Sequence, residues 1–123
     1  MKVLHTQDAP EPIGSYSQGI EIDGFFFLSG QIGLHPEGGE LESSLSQQAR
    51  QAMKNISAVL ESVGCSFSNV VKSIIYLKNI ADFAEFNKIY SEYFKENPPA
   101  RTTVEVSALP RNALIEIDII AHK

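Results

Sequence analysis

The chain has one cysteine, Cys65, among its 123 residues. No intrachain disulfide can form, which suits a reducing compartment, and the cytoplasm is the expected setting. No apolar run approaches the roughly 18 residues of a membrane-crossing helix. The N-terminal MKVLHTQDAPEPIG also lacks the apolar core of an export signal, so neither export nor a membrane partner is expected. Basic residues are few: ten Lys and Arg against fifteen Asp and Glu leave a net charge of −5, and the ten are scattered. A nucleic-acid binder needs a clustered basic surface, so nucleic acid is not the expected partner and small molecules or proteins are. His5, His35 and His122 are too dispersed for a metal site, and HPEGGE lacks the Lys and Ser/Thr flanks of a phosphate loop. Neither a metal nor an organic cofactor is expected. Cys65, with no His or second Cys beside it, reads as a small buried hydrophobe rather than a nucleophile.

What is present suits one domain over residues 1–123, since 43% hydrophobic content can fill a core of this size. GIEIDGFFFLSGQIGL turns at Asp23-Gly24 between apolar runs and predicts a β-hairpin. Leu45, Ala49, Ala52, Met53, Ile56, Leu60 and Val63 recur at steps of three and four. With Ser44 and Gln47 as a capping box and Gly64 as the stop, they predict a helix. NVVKSIIYLK is rich in β-branched residues and predicts a buried strand. DFAEFNKIYSEYF predicts a second helix with Phe83, Phe86, Tyr90 and Phe94 on one stripe, ended by Pro98 and Pro99. TTVEVSAL and ALIEIDIIA flank Pro110-Arg111-Asn112 and predict a second antiparallel hairpin, giving the order ββαβαββ.

The last strand carries two carboxylates inside an apolar run. Period-two alternation places Leu114, Glu116, Asp118 and Ile120 on one face and Ile115, Ile117 and Ile119 on the other. In the strand before it, Arg101, Thr103 and Glu105 alternate with Thr102, Val104 and Val106. Two helices cover one face of a sheet, and the Ile and Val side is the expected one. The face left over, with Thr103, Glu105, Glu116 and Asp118, suits contact with another subunit or a ligand cleft.

IGSYSQG, LSGQIG, FNKIYSEYF, PPARTTVEV and LIEIDIIA, in this order along the chain, resemble the signature segments of the Rid (YjgF) family of reactive-intermediate deaminases. The resemblance spans nearly the whole chain and is closest to the RidA subgroup. It implies a chorismate-mutase-like α+β fold assembled as a homotrimer, with active sites in the clefts between subunits. It also implies hydrolysis of 2-imino acids, such as 2-iminobutanoate and 2-iminopropanoate, to 2-keto acids and ammonia. These imines arise from enamines, 2-aminoacrylate among them, that pyridoxal-phosphate enzymes release.

Residue by residue, the resemblance makes Arg101 the binder of the substrate carboxylate, a role a guanidinium fills with two parallel hydrogen bonds. Taken alone, Arg101 reads more readily as a surface residue following Pro98-Pro99-Ala100, and the resemblance reverses that preference. Glu116 matches the glutamate placed beside the attacking water; its alternative is an ion pair with Lys72 or Arg111 at an interface, a role that suits Asp118 better. Tyr16 and Ser29 match hydroxyl-bearing positions near the imine nitrogen or the water, and read otherwise as a packed tyrosine and a strand-end serine. Gly30 would allow close backbone approach to the ligand, or simply turn the chain. Asn87 matches an asparagine near the cleft, or packs a helix onto the sheet. Thr103 stands where many members have cysteine and Ser15 where many have proline. The first change argues against thiol catalysis and leaves a backbone N–H for the carboxylate, and the second leaves the Tyr16 loop less rigid. Two other readings stay open: a small-ligand-binding regulatory trimer without turnover, and an endoribonuclease or translation inhibitor. The presence of Glu116 favours the enzyme over the first, and the charge of −5 counts against the second.

Overall fold

A computed structural model describes residues Met1–Lys123. Two signals that act over a few residues form as expected. Ser44 and Gln47 exchange the two hydrogen bonds of a capping box at the start of α1 (Leu45–Glu61), and Gly64 takes a left-handed φ of 72° just past its end. Asp23 and Gly24 both take positive φ and join β2 (Gly19–Ile22) to β3 (Phe25–Gln31) in a tight antiparallel hairpin. A further short strand, β1 (Lys2–Leu4), pairs with β2 and makes the order βββαβαββ. The remaining elements are β4 (Val70–Leu77), α2 (Phe83–Tyr93), β5 (Ala100–Glu105) and β6 (Ile115–His122).

The six strands form one mixed sheet in the order β1-β2-β3-β6-β4-β5, and both helices lie on one of its faces. This is the α+β architecture with two helices on one side that the sequence predicts. Beneath the helices, Phe26 and Leu28 of β3, Ile75 and Leu77 of β4, and Ile115, Ile117 and Ile119 of β6 pack against Met53, Ile56 and Leu60 of α1 and Phe86 of α2.

The second hairpin does not form. β6 inserts between β3 and β4, antiparallel to both, and β5 pairs instead with β4 in parallel. The helix between β4 and β5 decides this: a strand, a crossover helix and a returning strand lie side by side in parallel. In the parallel register Ser73 stands beside Arg101, Ile75 beside Thr103 and Leu77 beside Glu105. Ser73, Ile75 and Leu77 are buried under the helices, so Arg101, Thr103 and Glu105 point to the helix side. Glu105 accepts a hydrogen bond from the Ile80 N–H just ahead of α2. The expectation that these residues share a face with Glu116 and Asp118 is therefore wrong for β5. The open face carries Thr102 and Val104 beside Ile74, Tyr76, Glu116 and Asp118, with Phe25 and Phe27 exposed on β3 at 41% and 44%.

Candidate functional site

Arg101 sits on the edge strand β5, where the stripe of α2 that fills the core also reaches the sheet margin. Its guanidinium carbon lies 5.3 Å from the centre of the Phe83 ring and 4.8 Å from that of Tyr90, within reach of both ring faces. One guanidinium N–H donates to Asn87 Oδ1 at 2.9 Å. The Tyr90 hydroxyl is buried against Ser73 Oγ at 2.6 Å, which fixes the ring. Burial drives the Tyr90 phenol pKa upward, partly opposed by Ser73 and the Arg101 charge. No carboxylate forms an ion pair with Arg101. A half-buried cation held this way, with most of its donors unspent, is suited to an anion from outside the chain. Beside it, Thr103 Oγ1 is buried without a partner. Asn87, Tyr90, Phe94, Pro98, Pro99 and Arg101 border a cavity of about 390 Å³.

Glu116 belongs to a second cavity of about 410 Å³, bordered by Tyr16, Gln18, Gly30, Ile32 and Arg111. Its carboxylate lies flat against Gly30: a Cβ there would stand 2.7 Å from Glu116 Oε2 and 2.9 Å from Cδ. Gly30 thus makes room for the carboxylate itself. Burial raises the Glu116 pKa, and the charge of Asp118, two residues along the same face, raises it further. Asp118 is likewise raised by burial, opposed by a hydrogen bond from the Ile119 backbone. Neither carboxylate pairs with Lys72 or Arg111 within the chain. Lys72 donates to Thr102 Oγ1, and Arg111, held in a left-handed conformation at φ 59°, donates to the Gly39 carbonyl.

Of the two hydroxyls, Tyr16 borders the Glu116 cavity with 54% of its surface exposed, its oxygen accepting from the Ile13 N–H at 3.4 Å. Ser29 spends its proton on the Ser17 carbonyl at 2.5 Å, and its N–H donates to the Gln18 carbonyl. The structure therefore groups the candidate residues in two halves. Arg101, Thr103 and Asn87 lie on the helix side of the sheet edge, and Glu116, Gly30 and Tyr16 lie on the open side, with Ser29 bracing the second group. β4 separates the halves, so they do not meet within one chain.

Phe83 and Tyr90 were legible in sequence only as core residues. The clue to their second role is Asn87, a polar residue four positions after Phe83 and three before Tyr90, on the same helical stripe. Gln18 and Arg111 carried no comparable signal.

The family model described as endoribonuclease L-PSP matches residues 6–123. A RutC family protein of Pyrococcus abyssi is 48% identical over 123 residues, covering 99% of this chain and 97% of that protein. The human 2-iminobutanoate/2-iminopropanoate deaminase is 45% identical over 121 residues, covering 98% of this chain and 88% of the human one. The crystal structure of Escherichia coli TdcF with bound serine matches with a TM-score of 0.96 at 33% identity, covering 100% of this chain and 99% of that one. With sequence and fold matched along nearly its whole length, the chain belongs to the Rid (YjgF) family, whose model is described as endoribonuclease L-PSP.

Proposed function

We propose that this protein hydrolyses 2-imino acids to 2-keto acids and ammonia in a cleft between two copies of the chain, within a homotrimer. One copy supplies the Arg101 half and its neighbour the Glu116 half. The observation that carries this reading is the division of the site: a guanidinium without an ion-pair partner, set against two aromatic rings on one side of the sheet, and a half-buried carboxylate of raised pKa on the other. The exposed apolar residues of the open face supply a surface for the neighbour to cover. The human relative's name supports the reaction, and the serine held by TdcF supports a small ligand carrying a carboxylate beside a nitrogen-bearing carbon.

In this reading Arg101 grips the substrate carboxylate through two parallel N–H donors, with Asn87 and the two rings fixing the plane of the fork. Thr103 offers its unpartnered hydroxyl or its backbone N–H to the same anion. Glu116 takes a proton from water as the water oxygen bonds to the imine carbon. The C=N π pair moves to nitrogen, which receives that proton from Glu116, and a carbinolamine results. Glu116 then takes the proton of the new hydroxyl as C=O forms and delivers it to the departing nitrogen, so the C–N bond breaks, ammonia leaves and the carboxylate is restored. A carboxyl raised above its ordinary range is better matched to these transfers near neutral pH than an exposed one. The Tyr16 hydroxyl can hold the water or the nitrogen.

The test is a coupled assay in which a pyridoxal-phosphate enzyme generates 2-aminoacrylate and pyruvate release is followed. Acceleration over spontaneous hydrolysis is expected. Pyruvate formed at the spontaneous rate with saturating protein would overturn the proposal. The family's description makes a ribonuclease the second reading. The net charge of −5 counts against it, and RNA binding that is tight at low salt and falls steeply with added salt would favour it.

A further inference from the structure

The wall facing Glu116 is built from chain with no regular structure. Between β1 and β2 runs an irregular segment, and Pro10, Glu11, Ile13 and Tyr16 from it line the Glu116 cavity. Such a segment has no ladder of its own to hold it. Its only ion pair, His5 Nε2 to Glu11 Oε1 at 2.7 Å, has side chains 54% and 65% exposed, and exposed pairs hold a chain weakly.

The buried tie is Gln18, 2% exposed. Its carboxamide oxygen accepts from the Thr6 N–H at 2.7 Å, and its nitrogen donates back to the Thr6 carbonyl at 3.0 Å. The side chain thereby pairs with Thr6 as a neighbouring strand would, continuing the β1–β2 ladder whose last pair is Leu4 with Gly19. The same nitrogen reaches the Ala9 carbonyl at 3.3 Å and the Pro10 carbonyl at 3.0 Å. Ala9, 1% exposed, is drawn into the core beneath it. On its other side the Gln18 carbonyl accepts from Ser29 N–H, next to the Gly30 on which Glu116 rests. One buried residue therefore connects the irregular wall, through its side chain, to the strand that locates the carboxylate, through its backbone carbonyl.

We infer that Gln18 is a positioning residue of the candidate site: its carboxamide fixes residues 6–10, and through them the apolar wall and the Tyr16 loop, at a set distance from Glu116. It acts on how a substrate side chain fits rather than on the proton transfers. The inference rests on the imine-hydrolysis reading for its kinetic test and on the chain alone for its exchange test.

In the wild-type protein the Thr6 amide has no other acceptor than Gln18 Oε1, so its hydrogen exchange should be at least about tenfold slower than in a free peptide. Exchange at the free-peptide rate would overturn the inference, whether or not the protein hydrolyses imines. The variant is Gln18→Met, which keeps the length and removes all four hydrogen bonds. Exchange in residues 6–17 should accelerate while α1 stays protected. In kinetics, the kcat/KM ratio between 2-iminopropanoate and the bulkier imine of leucine should change by at least about fivefold, mostly through KM. A loss equal for both substrates is what simple unfolding gives, and it would overturn the positioning role. If Gln18→Met does not fold, Gln18→Asn, one methylene too short to span from Thr6 to Pro10, should give the same exchange pattern and the same change in ratio. An unchanged ratio in that variant would also overturn it. A wild type that hydrolyses neither imine would refute the functional reading and leave the exchange result to decide on Gln18.

Discussion

Replacing Gly30 by alanine adds one methyl group at the point where the structure leaves least room for it. The new Cβ would stand 2.7 Å from Glu116 Oε2, 2.9 Å from Cδ and 3.1 Å from Cγ. Unstrained contacts between heavy atoms fall near about 3.5–4.0 Å, so the carboxylate must withdraw by roughly 0.5–1 Å. The side chain can do so by rotating, and Gly30 is not in the left-handed region, so the backbone accepts alanine. Gly→Ala at a compatible site gains about 0.4–1 kcal/mol by restricting the unfolded chain, which offsets part of the contact strain. The folded state should therefore survive with Tm changed by only a few degrees. Catalysis should not survive as well. Misplacing a reacting group by about 1 Å costs roughly a hundredfold, or about 2.7 kcal/mol of barrier at about 1.36 kcal/mol per decade. The check is kcat/KM in the coupled imine assay beside a thermal melt. The double variant Gly30→Ala, Glu116→Gln should be little slower than Glu116→Gln alone, because both changes act through one carboxylate. Wild-type turnover in Gly30→Ala, with the fold intact, would refute the claim that this glycine sets the position of Glu116.

Four other outcomes follow from the same geometry. Glu116→Gln should lower turnover by about a hundredfold or more while calorimetry still detects 2-ketobutyrate binding, since the proposed carboxylate anchor, Arg101, lies on the other half of the candidate site. Arg101→Lys keeps the charge but loses the fork and the fit between the Phe83 and Tyr90 rings, so calorimetry should show 2-ketobutyrate binding weakened at least about tenfold. For pH, a carboxyl whose pKa is higher folded than unfolded binds its proton more tightly in the native state, so it costs stability as pH rises through the raised value. Asp118→Asn should accordingly raise Tm near about pH 7 and give no gain near about pH 3, where both states are protonated. In sedimentation equilibrium the protein should behave as a trimer at micromolar concentration, and Phe27→Asp on the open face should shift it toward monomer.

Local signals were enough for the elements whose causes are local. The capping box at Ser44, the Asp23-Gly24 turn and the apolar stripe of α2 each act over a few neighbouring residues, and each stands where the sequence puts it. Alternation on β6 likewise sorted Ile115, Ile117 and Ile119 inward and Glu116 and Asp118 outward, because a strand's side chains change face at every step whatever its partners. Which strand lies beside which is not local. The backbone of β5 offers the same donors and acceptors to β6 as to β4, and its sparse apolar residues specify neither face strongly, so the mixed pattern from Ala100 to Glu105 did not reveal that Arg101 turns toward the helices. The crossover through α2 made that choice, and with it the separation of Arg101 from Glu116. The seat of Glu116 on Gly30 and the grip of Gln18 on Thr6, Ala9 and Pro10 join residues brought together only by the sheet. Composition and spacing carry no trace of them, because a close approach between distant segments exists only after the chain has folded.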